Sequence, residues 1–230
     1  MGYFKFDFSN EQISDYVPGD SKYINESGIY EVMLLKVMAN TTAKGSEYLD
    51  FLIDYEGQVQ PIFQAITMTN TDGQPNLRQH LFNKLGAVCG ATANTEIGDP
   101  VKEMVPIGKG GEEKECLVLK EFDNIPMYMS IQMEYSIYEG KMQSKKLVRN
   151  FFRHTDKATA EEIVNNGEAG KQFGVESEYA GKDKYKNDLT KEDVDEWKAN
   201  LRNKNKDAKD SGSKDNKPSG GFGTRKFGKK

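Results

Sequence analysis

Cysteine and histidine are scarce in this chain of 230 residues. The two cysteines, Cys89 and Cys116, cannot build a disulfide framework and read as small buried thiols of a cytoplasmic protein. The two histidines, His80 and His154, are too few for a histidine-rich metal site, and His80 with Cys89 has no zinc-like spacing. No stretch approaches the roughly 18 apolar residues of a membrane span. The opening Met1-Gly2-Tyr3-Phe4-Lys5-Phe6-Asp7-Phe8 has no basic region followed by an apolar run, so no secretory leader is expected. Apolar residues, Tyr included, make up only 36% of the chain, which predicts a core of ordinary size with part of the chain outside it.

Charge is unevenly spread. The net value is −4, yet residues 201–230 hold ten Lys/Arg against three Asp, or +7, which leaves 22 Lys/Arg against 33 Asp/Glu, or −11, for the rest. An acidic body does not attract nucleic acid through its total charge, so any such binding must rest on local patches.

The hydrophobic pattern is that of a mainly β protein. Ile29 to Met38 is a nearly continuous apolar run, as a strand buried on both sides requires. Tyr48 to Tyr55 alternates, with Leu49, Phe51 and Ile53 on one side and Asp50 and Asp54 on the other. Glu56-Gly57 predicts a tight hairpin into a third strand, Val59 to Met68. Asn76 is placed to cap a helix whose apolar residues are Leu77, Leu81, Leu85 and Val88, with Gly90 as its stop. Residues 91–114 read as loop, and Cys116 to Leu119 as a short strand. Met127 to Tyr138 alternates throughout, Glu139-Gly140 predicts a two-residue turn, and Lys141 to His154 runs back.

Thr155 to Asn165 predicts a short helix, Gly167 to Ala180 a loop, and Thr190-Lys191-Glu192-Asp193 a capped helix to about Asn203. The order of elements predicts an OB-fold-like barrel of five to six strands with a central helix, C-terminal helices and a disordered basic tail. The expected segments are an aromatic arm at 1–26, the OB core at 27–154, a helical and loop extension at 155–203, and the Gly/Lys tail at 204–230.

The last hairpin carries the candidate chemistry. A two-residue turn would set Tyr128 against Phe151, Ser130 against Arg149 and Glu134 against Lys145 on one face, and Met127 against Phe152 on the other. The first face then combines flat rings with cations. Rings of Tyr128 and Phe151 would stack on unpaired bases, while Lys145, Arg149 and Arg153 would neutralise phosphates, with Lys36 and Lys44 adding charge from the first strand and its loop. Gly108-Lys109-Gly110-Gly111 lacks the Gly-Lys-Ser/Thr ending of a phosphate loop. Asp50 and Asp54 lack the third carboxylate of a metal-dependent nuclease. Neither catalysis nor a cofactor is expected.

Ser27-Gly28-Ile29-Tyr30-Glu31-Val32, then Lys44-Gly45-Ser46-Glu47-Tyr48-Leu49-Asp50-Phe51, the Asn76-Leu77-Arg78 helix start and Gly170-Lys171-Gln172-Phe173 together resemble small bacteriophage single-stranded-DNA-binding proteins of replication and recombination loci. The resemblance covers residues 27–180. It implies an OB-fold, coating of exposed single-stranded DNA in the cytoplasm of an infected bacterial host, and assembly as a homodimer or cooperative array. It also implies contact with phage or host replication and recombination proteins through the C-terminal region, and no membrane association. Such proteins end in an acidic tail, whereas this chain ends in a basic one. The competing expectation is a protein-interaction or virion-assembly module that binds no nucleic acid, docking through the aromatic arm and the Trp197 helix.

Overall fold

The computed structural model describes residues 23–108 and 111–211, with side chains of the last helix described to Leu201. Most of the aromatic arm, the tip of the Gly108–Gly111 loop and the end of the basic tail lie outside the described residues. The elements are β1 (Gly28–Thr41), β2 (Glu47–Tyr55), β3 (Gln58–Thr67), α1 (His80–Val88), β4 (Val101–Val105), β5 (Lys114–Val118), β6 (Ile125–Tyr138), β7 (Lys141–Arg153), α2 (Ala160–Val164), α3 (Lys171–Ser177), β8 (Lys184–Tyr185) and α4 (Lys191–Ser211). They form two compact units. The first runs to Glu134 and resumes over Ser144–Lys184; the second joins Tyr135–Gln143 to the chain from Tyr185 onward.

The protein is mainly β, with eight strands among the described residues rather than five or six. β4 and β8 were not expected: β4 lies in a stretch whose apolar residues are interleaved with charge, and β8 is only two residues long. Strands β3, β2, β1, β5 and β4 follow one another across the sheet, and β6 pairs with β1, β7 and β8. The long first strand serves two partners on one side: Gly28–Leu34 pairs antiparallel with β6, and Met38–Ala39 with β5. A register shift between Leu34 and Lys36 makes this possible. The extra residue bends the strand and resets its alternation, so Val32, Leu34 and Val37 all enter one core.

That core is closed by α1. Leu81, Leu85 and Val88 are buried against β-strand residues including Phe51, Ile62 and Met129. The helix starts differently from expectation. Asn76 caps a 3-10 turn, Leu77–Gln79, by accepting from the Arg78 N–H, and Leu77 is left 93% exposed rather than joining the stripe. Both expected hairpin turns form. Glu56 and Gly57, and likewise Glu139 and Gly140, take positive φ, the geometry of the two-residue turn that matches strand twist.

Among the described residues no backbone ladder joins β3 to β7, so the sheet is open where a barrel would close. Side chains bridge the seam instead. One Arg78 nitrogen donates to the carbonyls of Ala65 on β3, at 2.9 Å, and Val148 on β7, at 2.8 Å. Lys145 donates to Gln64 at 2.9 Å, and Lys146 to the buried Gln60 at 2.7 Å.

In the second unit the Tyr135 ring stacks on Tyr185 and meets Trp197 edge-on, with centroids 6.0 and 6.2 Å away. Val194 is buried, and Thr190 and Asp193 cap α4 reciprocally, as their spacing predicted. α4 continues to Ser211, past the expected end near Asn203.

Burial pushes the Lys146 amine down to about 8 from its ordinary 10.5. Below about pH 8 the amine is charged in both folded and unfolded chains, and its burial penalty is constant. Between about pH 8 and 10.5 only the unfolded chain still holds the proton, so stability rises with pH in that window. Urea melts of wild type and Lys146→Met at pH 7 and pH 10 should show the difference between them moving in favour of wild type at the higher pH. A pH-independent difference would contradict this.

Candidate nucleic-acid interface

The last hairpin was expected to expose one face. Its inner face is as predicted: Met127, Met129, Ile131 and Met133 are buried. Its outer face is covered too, because residues 155–184 fold back over it. Thr159 and Glu162 form a capping box that starts α2, and the Glu162 carboxylate also accepts from the Gly170 and Gln172 N–H groups, fixing the entry to α3. Gly170 has φ 78°, and a side chain there would crowd the Asp156 carbonyl, so glycine suits the turn. α3 replaces the expected loop. It carries Phe173 onto Phe152 and Tyr128, with ring centroids 5.0 and 5.3 Å away.

The packing corrects several expected site residues. Phe151 is fully buried, its ring centroid 6.1 Å from that of Phe51 in the main core, and it is not a stacking platform. Val148 and Phe151 enter the same core although three residues apart, which strict alternation forbids. The parity of β7 therefore changes between them, and Phe152, expected inside, turns to the outer side and Phe173. Tyr128 belongs to an anchoring cluster. Its hydroxyl donates to Glu31 at 3.0 Å, its ring stacks on His154, and the Lys157 amine lies 5.4 Å from its centroid. His154 bonds the other Glu31 oxygen, and these two bonds, the one to His154 first, hold the Glu31 carboxyl below its usual range.

Two of the expected cations are consumed by carboxylates. Lys36 bridges Glu103 at 2.8 Å and Asp123 at 2.7 Å, and Lys120 shares both partners. Arg153 makes a bidentate pair with Asp156. Lys145 is exposed but tied to Gln64 at the seam. Lys44 is exposed at the β1–β2 turn, where Gly45 takes φ 88°.

Among the expected hairpin cations, Arg149 opens onto a cavity. It lines a polar cleft of about 410 Å³ between the hairpin, α1 and the extension. Lys84 of α1 and Tyr179 after α3 line the same cleft, together with the amides of Gln132 and Asn150. Tyr179 is 56% exposed as a residue, and the Lys182 amine lies over one face of its ring, 4.7 Å from the centroid. Nearby, the Arg78 guanidinium is held below its ordinary value by burial first and by the like charge of Arg149 second, with Glu134 acting in the opposite sense. One carboxylate, Glu176, lines the cleft and accepts from the Asn150 amide. The arrangement provides charge for an anion, amide groups for polar edges and an open ring for a flat group. Lys84 and Tyr179 were missed from sequence; the only local signal was the three-residue spacing of Tyr179 and Lys182 within a segment read as loop.

Other chemistry finds little support. Asp50 braces a bulge in β3: its oxygens accept from the Gln64 N–H and the Asn40 amide, and its pKa is raised by burial. Burial pushes the Cys89 thiol up to about 12, far from a reactive thiolate. Among the described residues no group of three or more His, Cys, Asp or Glu could hold a metal ion, and no helix is long and apolar enough to cross a membrane. No family model matches the chain, and no curated protein is similar to it.

Two substitutions separate the buried rings. Phe151→Ala should destabilise the protein by about 3–5 kcal/mol in urea melts, the cost of emptying a core aromatic site. Phe173→Ala, at a half-buried site, should cost roughly 1–3 kcal/mol and speed hydrogen exchange of the β6 amides beneath it. Equal melts for Phe151→Ala and wild type would contradict the core position of that ring.

Proposed function

We propose that this protein binds single-stranded DNA without sequence preference, as a replication or recombination accessory of the phage type, and that the Arg149–Lys84–Tyr179 cleft is where it grips the strand. The observation that carries this reading is the concentration of two cations and one open aromatic ring at a single polar cleft on an otherwise acidic body. Arg149 and Arg78 repel each other, and a phosphate entering beside Arg149 relieves that repulsion while gaining a charge-assisted bond. A base laid on Tyr179 contributes roughly 1–3 kcal/mol whatever its identity. Duplex DNA keeps its bases stacked inside and offers the ring nothing.

The fold supports the same reading. An open antiparallel sheet whose first strand is shared between two partners, with a helix packed into its core, is what an OB-like plan would use. In this reading the Arg78, Lys145 and Lys146 bridges stand in for the ladder that would close the barrel.

Fluorescence titration with oligo-dT across a salt series tests the assignment. Arg149→Ala and Lys84→Ala should each weaken binding and flatten the log–log salt slope by about 0.7, one phosphate contact on a single strand. Tyr179→Ala should weaken binding roughly tenfold while leaving the slope unchanged. Duplex DNA of equal length should bind less tightly. Wild-type protein that ignores oligo-dT at low salt, or three variants that bind as wild type does, would remove the reading and leave the interaction-module alternative.

A further inference from the structure

The outer surface of β3 carries an apolar strip with nothing over it among the described residues. Val59 and Phe63 are 39% and 53% exposed, with Pro61 between them on the same side. The strip continues across the sheet: Met33 on β1, Asp54 on β2 and Val59 on β3 lie in one row of paired residues, and Met33 is also exposed. Within this row the Asp54 Oδ1 atom is shielded from solvent and meets no hydrogen-bond donor.

The chain itself brings a segment to this place. Ile24 is buried in the core, and its N–H donates to Gln60 of β3 at 3.1 Å. Tyr23 accepts from Gln58 at the start of β3, at 3.2 Å. The described chain therefore begins beside the first residue of β3. The preceding residues, 1–22, include Phe4, Phe6 and Phe8, three rings at the two-residue spacing of one strand face, matching the spacing of Val59, Pro61 and Phe63. The linker of residues 9–22 spans up to about 46 Å when extended, and β3 is about 33 Å long, so the rings reach any point along it.

We propose that residues 3–8 of the same chain cover the outer face of β3, seating Phe4, Phe6 and Phe8 on Val59, Pro61 and Phe63. Attachment at Tyr23 makes docking intramolecular, at an effective concentration in the millimolar range, which favours the chain's own arm over a second copy. Pro61 removes one backbone donor from β3, so contact between side chains, rather than a continuous ladder, holds the arm. This inference is independent of DNA binding and of the Arg149 cleft.

The test is a photo-crosslink in the full-length protein. Benzoylphenylalanine replaces Phe63, an exposed position where a larger ring is tolerated, and crosslinked peptides are mapped by mass spectrometry at two protein concentrations. The expected product is a monomer crosslinked to residues 3–8, in a yield independent of concentration and lost when Phe4, Phe6 and Phe8 are all changed to Ser. Crosslinks confined to covalent dimers would make a second copy the occupant and overturn the proposal. So would a monomer crosslinked elsewhere, including to Phe222 or Phe227 of the basic tail, or no crosslink to the arm. Hydrogen exchange adds a second readout. With the arm seated, hydrogen exchange at residues 4–8 is slowed in wild type and faster when Phe4, Phe6 and Phe8 are all changed to Ser; unprotected arm amides in wild type would also overturn the proposal.

Discussion

The outer face of the β6–β7 hairpin is roofed by residues 155–184, and Phe173 is the wedge that holds the roof down. Its ring packs edge-on against both Phe152 and Tyr128, with the Lys157 amine 4.7 Å from its centroid. An uncovered sheet face bearing two large rings would be an adhesive surface, and burial of those rings is favourable by roughly 25 cal/mol per Å² of apolar area removed from water. Once that face is buried, the even-numbered residues of β6 must be satisfied internally. Ser130 and Glu134 are buried, and Glu134 pairs with Lys184 at 2.8 Å.

The roof also decides which hairpin side chains stay open to solvent. Aromatic groups on the covered face become anchors for the extension, while Arg149, at the margin of the cover, keeps access to solvent. The cleft takes one wall from the hairpin, one from α1 and one from the extension, so it exists only when all three are in place. On the proposed function, a surface assembled this way would tie strand binding to the folding of residues 155–184, which carry little of the core themselves. The carboxylate clip of Glu162 and the glycine at position 170 are thus part of the site's architecture although they lie away from its charges.

The seam between β3 and β7 obeys a related rule. Two edges face each other without a ladder, and exposed edges invite pairing with other chains. Here cationic side chains occupy the gap and take carbonyl and amide oxygens from both strands. The same positive groups that stitch the seam are thereby withdrawn from phosphate binding. This is why the number of Lys and Arg on the hairpin overstates the charge it offers to a ligand.

Much of this protein was legible in order along the chain. Period-two alternation set β2 and β6, the Glu-Gly pairs set two tight turns, and Thr190 with Asp193 set the start of the last helix, because each of these is decided by residues within a few positions of one another. Which side of a strand is buried, and by what, was decided elsewhere. Lys36 meets Asp123 across 87 positions of sequence, and Glu31 meets His154 across 123. The change of parity in β7 that sends Phe151 inward and Phe152 outward leaves no mark in the local pattern, since two adjacent phenylalanines fit either register. Alternation tells two faces apart; only the packing of distant segments determines which one remains in water and which charges remain unspent.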